Sequence, residues 1–397
     1  MMVVGALPNS WLAGPRFRFM LDSVVGQSCS GSGRRGIAGL AMGQGRLVAT
    51  FLAGHDLVVP ELVVMPRRQE TVHDSPTSES SMKGKRGPSS HEFGSAPTTI
   101  MEPPQVVLPD DQLFSRRALR LRELMVMVPA LDEFLDFMAR LAQAQHQVLS
   151  GREPAWRPAP DAFDQALAHR MPPLGFRALR RDLDWQGDLR AILDALALHV
   201  GERQRPLLQA LREANADALQ AIAEDVLEQR AGSADTRGLM PLVAAALQVA
   251  WVRLAAVLPR PPAQPLAEAR ALCPCCGSPP VVSVVHNEPH RSGVRFLHCA
   301  LCATEWHLER VKCSNCEIGG QLLYLGLDDE QGEPFLPVQA EACGACESYL
   351  KIVLRQLQGR ADPVADDLAS LPLDLMLADE GVYARSGYNP LLVFGDP

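Results

Sequence analysis

The sequence has no excess of basic charge. Its 38 lysines and arginines face 46 aspartates and glutamates, for a formal net charge of −8. A general nucleic-acid binder would carry a basic stripe, so that class is disfavoured and room is left only for a small basic patch. No stretch reaches the roughly 18–20 consecutive apolar residues of a membrane span, so stable membrane insertion is not expected. Arg34-Arg35 precede a short apolar run, Gly36 to Met42, but Gly43, Gly45 and Arg46 interrupt it. It is not read as an export signal. A Gly-rich phosphate loop, a nucleophile elbow and a His-Glu metal motif are all missing, which removes the common hydrolytic sites. Cysteine is nearly absent from the first two thirds of the chain, where Cys29 stands alone.

The other nine of ten cysteines crowd between Cys273 and Cys346, and eight of them form four Cys-x-x-Cys pairs. These are Cys273/Cys276, Cys299/Cys302, Cys313/Cys316 and Cys343/Cys346. Disulfide scaffolds spread cysteines at varied spacings, whereas regular pairs mark metal knuckles in which a tight turn offers two thiolates to one ion. Thiolate ligation needs reduced cysteine, which points to the cytoplasm.

Spacers of 22, 10 and 26 residues separate successive pairs. The short spacer, ATEWHLERVK, reads as a strand of roughly 30 Å at about 3.3 Å per residue, which keeps its flanking pairs apart. The longer spacers read as hairpins. VVSVV and VRFLH flank the turn NEPHRSG, and QLLYLGL and FLPVQ flank DDEQGEP. Since a hairpin brings its ends together, one metal site is expected from Cys273, Cys276, Cys299 and Cys302, and another from Cys313, Cys316, Cys343 and Cys346. The two ribbons then share a linking strand. Four thiolates close a tetrahedral shell that suits zinc or a rubredoxin-type single iron and leave no open position for hydrolysis. His298 and His307 read as packing or outer hydrogen-bonding groups, and Cys275 as a spectator.

The expected fold class is α+β: an N-terminal all-α domain, two rubredoxin-like or zinc-ribbon-like β metal-binding subdomains, and a C-terminal helix. Residues 1–100 read as a poorly structured extension with no assigned function, with Met82 or Met101 as alternative starts. Residues 101–260 read as helical. Ser115 would cap a first helix carrying Leu119, Leu121, Leu124, Met125 and Val128, ended by Pro129. A second, Leu131 to Leu149, carries Phe134, Phe137, Met138, Leu141 and Ala144 on one face. Others follow near 161–170, 175–184, 186–200, 204–231 and 238–258, with Trp156, Trp185 and Trp251 as anchors. After a stiff PRPPAQP linker, 266–330 holds the first ribbon and linking strand, and 331–397 completes the second ribbon and adds the C-terminal helix. Glu305-Trp306-His307, with Arg310 and Lys312, are placed on an exposed strand, either as a partner surface or as packing. Asp366 and Asp367 are expected to cap the late helix or to contact a partner.

The runs CPCCGSPPVVSVV (273–285), LHCALCATEWHLERVKCSNCE (297–317), AEACGACESYLKI (340–352) and ADDLASLPLD (365–374) closely resemble the formate dehydrogenase accessory protein family, FdhE. LFSRRALRLREL (113–124) resembles that family's N-terminal helix. The resemblance implies a cytoplasmic assembly factor rather than an enzyme, engaging the catalytic subunit of respiratory formate dehydrogenase before export. It also implies iron in rubredoxin-like sites, with zinc as the alternative, and all eight paired cysteines carry over. Cys275 departs from the family, which usually has another residue there. A homodimer is left open by the sequence.

Overall fold

Helices fill the first part of the fold because apolar residues recur there at spacings of three and four. The computed structural model describes residues 48–50 and 56–58 and, from 104 to 393, all but 156–157, 160, 180–182, 203, 265–269, 289–290 and 330–331. Expectations for the remainder of the first hundred residues, Cys29 and Met82 included, and for Met101 and Trp156 lie outside the described residues. Within that first stretch β1 (Val48–Thr50) and β2 (Asp56–Val58) pair antiparallel.

After β3 (Val106–Val107) come α1 (Leu113–Met127) and α2 (Asp132–Gly151), joined by a 3-10 turn at Pro129–Leu131. In α2 the expected face is the buried one, from Phe134 to Ala144. In α1 the pattern differs. The helix begins before Ser115, behind Gln112, with no side-chain cap. Leu119 is 58% exposed, while Arg117 and Arg120 share the inner face with Phe114, Leu121 and Leu124.

Next come α3 (Asp164–Ala168), α4 (Phe176–Leu179), α5 (Trp185–Ala197), α6 (Arg205–Glu213), α7 (Ala216–Leu227) and α8 (Met240–Ala256). The single helix expected over 204–231 is two. Asn215 takes an extended backbone, and its side-chain oxygen accepts the Ala218 N–H at 2.8 Å, starting α7 afresh. Trp185 and Trp251 are buried anchors, as expected. A helix apolar on all sides belongs in a core, and α8 is buried along nearly its whole length. The segment Arg237–Ala256 is long and apolar enough to cross a membrane, but 89% of its most apolar 18-residue window is buried inside the fold.

Both predicted hairpins form. They are β4 (Pro280–Val285) with β5 (Arg295–Cys299), and β7 (Leu322–Asp328) with β8 (Pro334–Cys343). The run between them is not one long strand. Only β6 (Glu305–His307) is extended, and it folds back antiparallel to β5. A strand absent from the expectations, β9 (Ser348–Leu354), pairs antiparallel with β8 and parallel with β4. With β10 (Ala384–Arg385) beside β9, the ribbons fuse into one eight-stranded sheet of order β3-β6-β5-β4-β9-β8-β7. The ribbons are thus joined by β4 and β9 rather than by a shared linking strand.

The C-terminal helix is also two, α9 (Pro363–Ala369) and α10 (Leu371–Glu380). Leu373 and Leu377 of α10 pack with Leu327, Ala340, Ala342 and Tyr349 in a small second core. The main core runs from the helices through the sheet to α9. The cap of α9 is Asp362, which accepts from the N–H groups of Val364 and Ala365. Asp366 closes that turn by accepting the Asp362 N–H at 2.8 Å. Asp367 accepts from Arg385, Lys351 and Asn389. Asp366 and Asp367 are both fully buried, so neither is a partner contact.

Candidate metal centres

Each Cys-x-x-Cys pair occupies a turn whose following residue is left-handed: Gly277 (φ 79°), Ala303 (58°), Glu317 (59°) and Glu347 (53°). Glycine adopts this backbone freely, but the other three pay roughly 1–2 kcal/mol for it. The turn is needed to aim sulfur and amide at one point. The amides of Cys275, Leu301 and Asn315 lie 3.4, 3.4 and 3.3 Å from Cys273, Cys299 and Cys313 Sγ, donating to sulfur.

The hairpins bring the pairs together as the spacers predict. Cys273, Cys276, Cys299 and Cys302 form one group and Cys313, Cys316, Cys343 and Cys346 another, with the sulfurs of each group within 4.8 Å of one another. Short contacts link outer to outer and inner to inner cysteines. They are Cys273–Cys302 at 3.6 Å, Cys276–Cys299 at 3.4 Å, Cys313–Cys346 at 3.8 Å and Cys316–Cys343 at 3.7 Å. A disulfide would need about 2.05 Å. A tetrahedron with metal–sulfur bonds of about 2.3 Å has edges of about 3.8 Å, so both groups are dimensioned for one ion each. Either group could hold a metal ion. His298 and His307 belong to neither group.

Crowding four thiols in a buried turn splits their acidities. Burial pushes the Cys273 and Cys299 thiols well up and Cys313 up to about 12. Burial also opposes ionisation of Cys302, yet hydrogen bonds from Cys273, Cys275, Cys276 and Cys299 hold it well below the thiol range. Cys346 is likewise brought down, against its burial, to about 6 by the Ser348 hydroxyl and the neighbouring donors. A hydroxyl two residues beyond the last cysteine recurs in both centres. Thr304 Oγ1 is 3.2 Å from Cys302 Sγ, and Ser348 Oγ is 3.1 Å from Cys346 Sγ. The repeated Cys-x-Ser/Thr could have flagged these two from sequence. Cys275 is buried behind the first centre, and its thiol is raised by contact with Cys302 and by burial.

The two centres differ in setting. All four cysteines of the first group are buried, whereas Cys316 and Cys346 of the second are half-buried. The helical region grips the first centre by its backbone. Leu174 N–H donates to Cys275 O at 2.8 Å, Phe176 N–H to Cys276 O at 3.3 Å, and Gln248 Nε2 to Ala300 O at 2.9 Å. Gln248 is itself held by Gln145 at 3.1 Å.

The segment expected on an exposed strand is mostly interior. Glu305 and Trp306 are buried and His307 is half-buried. Trp306 Nε1 donates to Arg270 O at 2.8 Å. Glu305 sits between His286 and His298 at 2.9 and 3.3 Å; burial would raise its carboxyl, but these two rings hold it well below the usual range. His307 packs edge-on against Phe296. Glu305 and Trp306 are therefore packing, Trp306 within the main core and Glu305 between its two histidines. Arg310 stays exposed, and Lys312 is paired with Glu309 at 3.2 Å.

Comparison with known proteins gives one answer from residue 103 to residue 392. Three family models match in succession: "FdhE, N-terminal" over 103–268, "FdhE, central domain" over 272–310 and "FdhE, C-terminal domain" over 311–392. Protein FdhE of Shigella boydii serotype 18 is 39% identical over 299 residues, covering 75% of this chain and 94% of that protein. A Serratia proteamaculans FdhE homolog is also 39% identical, covering 74% and 92%. The crystal structure of FdhE from Pseudomonas aeruginosa superposes with a TM-score of 0.64 at 36% identity, over 73% of this chain and 99% of that one. With family models spanning more than half its length and relatives matched nearly end to end, the chain belongs to the FdhE family.

Proposed function

We propose that this chain is an accessory factor for formate dehydrogenase, engaging its catalytic subunit in the cytoplasm before export, with one iron ion in each cysteine group. Cys273, Cys276, Cys299 and Cys302 ligate the first ion, and Cys313, Cys316, Cys343 and Cys346 the second. The observation that carries this reading is FdhE family membership together with eight cysteines gathered into two closed tetrathiolate groups. A closed sulfur shell supplies rigidity or one-electron chemistry but no site for a substrate or activated water. The chain's own contribution is to orient the thiolates through backbone N–H donors and to keep water from the first centre.

A zinc-ribbon adaptor with structural zinc is the second reading. It is favoured by the burial of the first centre beneath Leu174, Phe176 and Gln248. Metal analysis of protein purified without added metal separates the two. Iron gives a red ferric tetrathiolate, and colourless protein with stoichiometric zinc overturns the iron assignment. For the client, a strain lacking this chain is expected to lose formate dehydrogenase activity. The tagged chain is expected to retain the catalytic subunit, and exchange of the Cys343/Cys346 pair for serine to weaken that capture. Full dehydrogenase activity in the deletion strain would overturn the accessory role.

A further inference from the structure

One sulfur of the second metal centre carries side-chain hydrogen-bond partners in addition to the backbone donors of the turns. Ser348 Oγ lies 3.1 Å from Cys346 Sγ. Asn315 Nδ2 lies 3.3 Å from Ser348 Oγ and 3.7 Å from Cys346 Sγ. Asn315 belongs to the opposite turn, between Cys313 and Cys316, and its own N–H donates to Cys313 Sγ at 3.3 Å. Its side chain therefore reaches across from one Cys-x-x-Cys pair to the other.

The chemistry of these groups fixes which way the protons point. A metal-bound thiolate has no proton to give, so only the NH2 end of Asn315 can face it favourably. That end also donates to Ser348 Oγ, which leaves the serine's own proton for Cys346 Sγ. Cys346 then receives one O–H and one N–H, and charge-assisted bonds of this kind draw negative charge off the sulfur.

The first centre repeats the plan with other residues. Cys275 stands two residues after Cys273, as Asn315 does after Cys313, and Thr304 follows Cys302 as Ser348 follows Cys346. Thr304 Oγ1 lies 3.2 Å from Cys302 Sγ, and the Cys275 thiol is in contact with both. Recurrence at matching positions around two different ions' worth of cysteines sets this arrangement apart from a stray polar contact. Only access differs. Cys275 and Thr304 are fully buried, whereas Asn315 is exposed.

We infer that Asn315 and Ser348 are positioning residues that clasp the Cys346 thiolate and thereby set the electronic state of the second centre. Groups that hydrogen-bond to metal ligands tune the metal without touching it. With charge drawn off its sulfur, the centre holds its more negative state more readily, which for iron is the ferrous one. This role rests on each cysteine group holding one ion, as proposed above, and not on which metal that is.

Cobalt(II) loaded into the full chain reads the sulfur charge through its thiolate-to-cobalt absorption. Both cysteine groups are expected to fill, and subtracting the spectrum of Cys316→Ser leaves the second centre alone. Ser348→Ala and Asn315→Ala should each move that centre's band to longer wavelength. Ser348→Thr, which installs the residue used by the first centre, should restore the parent band. Val311→Ala, at an exposed side chain beside the centre, should leave it unchanged. In the iron-loaded chain, Ser348→Ala should shift the balance toward the ferric form about tenfold, a potential about 59 mV lower. A parent that fills only one group would sink the metal reading itself. Full loading with no band shift in either alanine variant, or an equal shift in Val311→Ala, would overturn the clasp alone. If Ser348→Ala loses its second ion, the band of Asn315→Ala decides the matter by itself.

Discussion

Arg120 of α1 and Asp366 of α9 lie 246 positions apart and meet through two hydrogen bonds of 3.0 and 2.7 Å, with both side chains buried. Arg117 and Asp362 repeat the arrangement one turn away at 3.1 Å. Removing Asp366 leaves buried Arg120 with the half-buried Glu123, at 3.0 Å, as its remaining partner. Asp366→Ala is therefore expected to lower stability by about 3 kcal/mol in urea unfolding. Replacing both Arg120 and Asp366 with leucine should recover part of that loss. A single variant as stable as the parent would show that the pair is solvated in solution.

The two cysteine groups share no sulfur, so they should fill independently. Cys316→Ser is expected to reduce metal content by elemental analysis from two ions per chain to one, leaving the helical signature intact. Cys299→Ser removes an ion from beneath the helices and should also lower the midpoint of thermal unfolding.

Exposure should set the order of metal loss. With Cys316 and Cys346 half-buried, a chelator is expected to strip the second centre first, giving a biphasic release curve. Metal affinity should rise with pH. Without metal, burial keeps Cys273, Cys299 and Cys313 protonated at neutrality, so loading must expel protons. Each proton expelled makes apparent affinity climb about tenfold per pH unit, as titrations at pH 6.5 and 7.5 would read. Affinity independent of pH would contradict this.

Ala303 holds a left-handed backbone (φ 58°) with its side chain buried. Ala303→Gly relieves the backbone cost and loses only one methyl. The loaded protein is expected to gain about 0.5–1 kcal/mol of stability, measured by denaturant midpoint. A loss instead would mean that the methyl packs more than the turn strains.

How much of this was legible follows from what each signal depends on. The pairing of the cysteines into two groups could be read from spacer lengths, because a hairpin is a local structure and its turn residues are visible. β9 could not, since SYLKIVL gains its meaning only from β4, a distant segment, lying parallel to it. Asn215 was a visible signal, and its capping oxygen divides what apolar spacing alone joins into one helix. Polarity misled at Glu305, whose charge is interior because two histidines satisfy it, and Arg117 and Arg120 are interior in the same way because aspartates more than two hundred positions away receive them. A window of sequence registers a charge but not the partner that permits its burial.

The parallel β4–β9 contact also sets an order of events during synthesis. The first ribbon can gather its four cysteines as soon as Cys302 leaves the ribosome, but β4 keeps a bare flank until Ile352 has been made to lie opposite Ser283. The helices emerge earliest, yet α1 must then wait for Asp362 and Asp366 to neutralise its inward arginines. A nascent chain halted before β9 would display that unfinished flank and two unanswered cations to the cell's proteases. Completion of the last few dozen residues is what certifies the molecule.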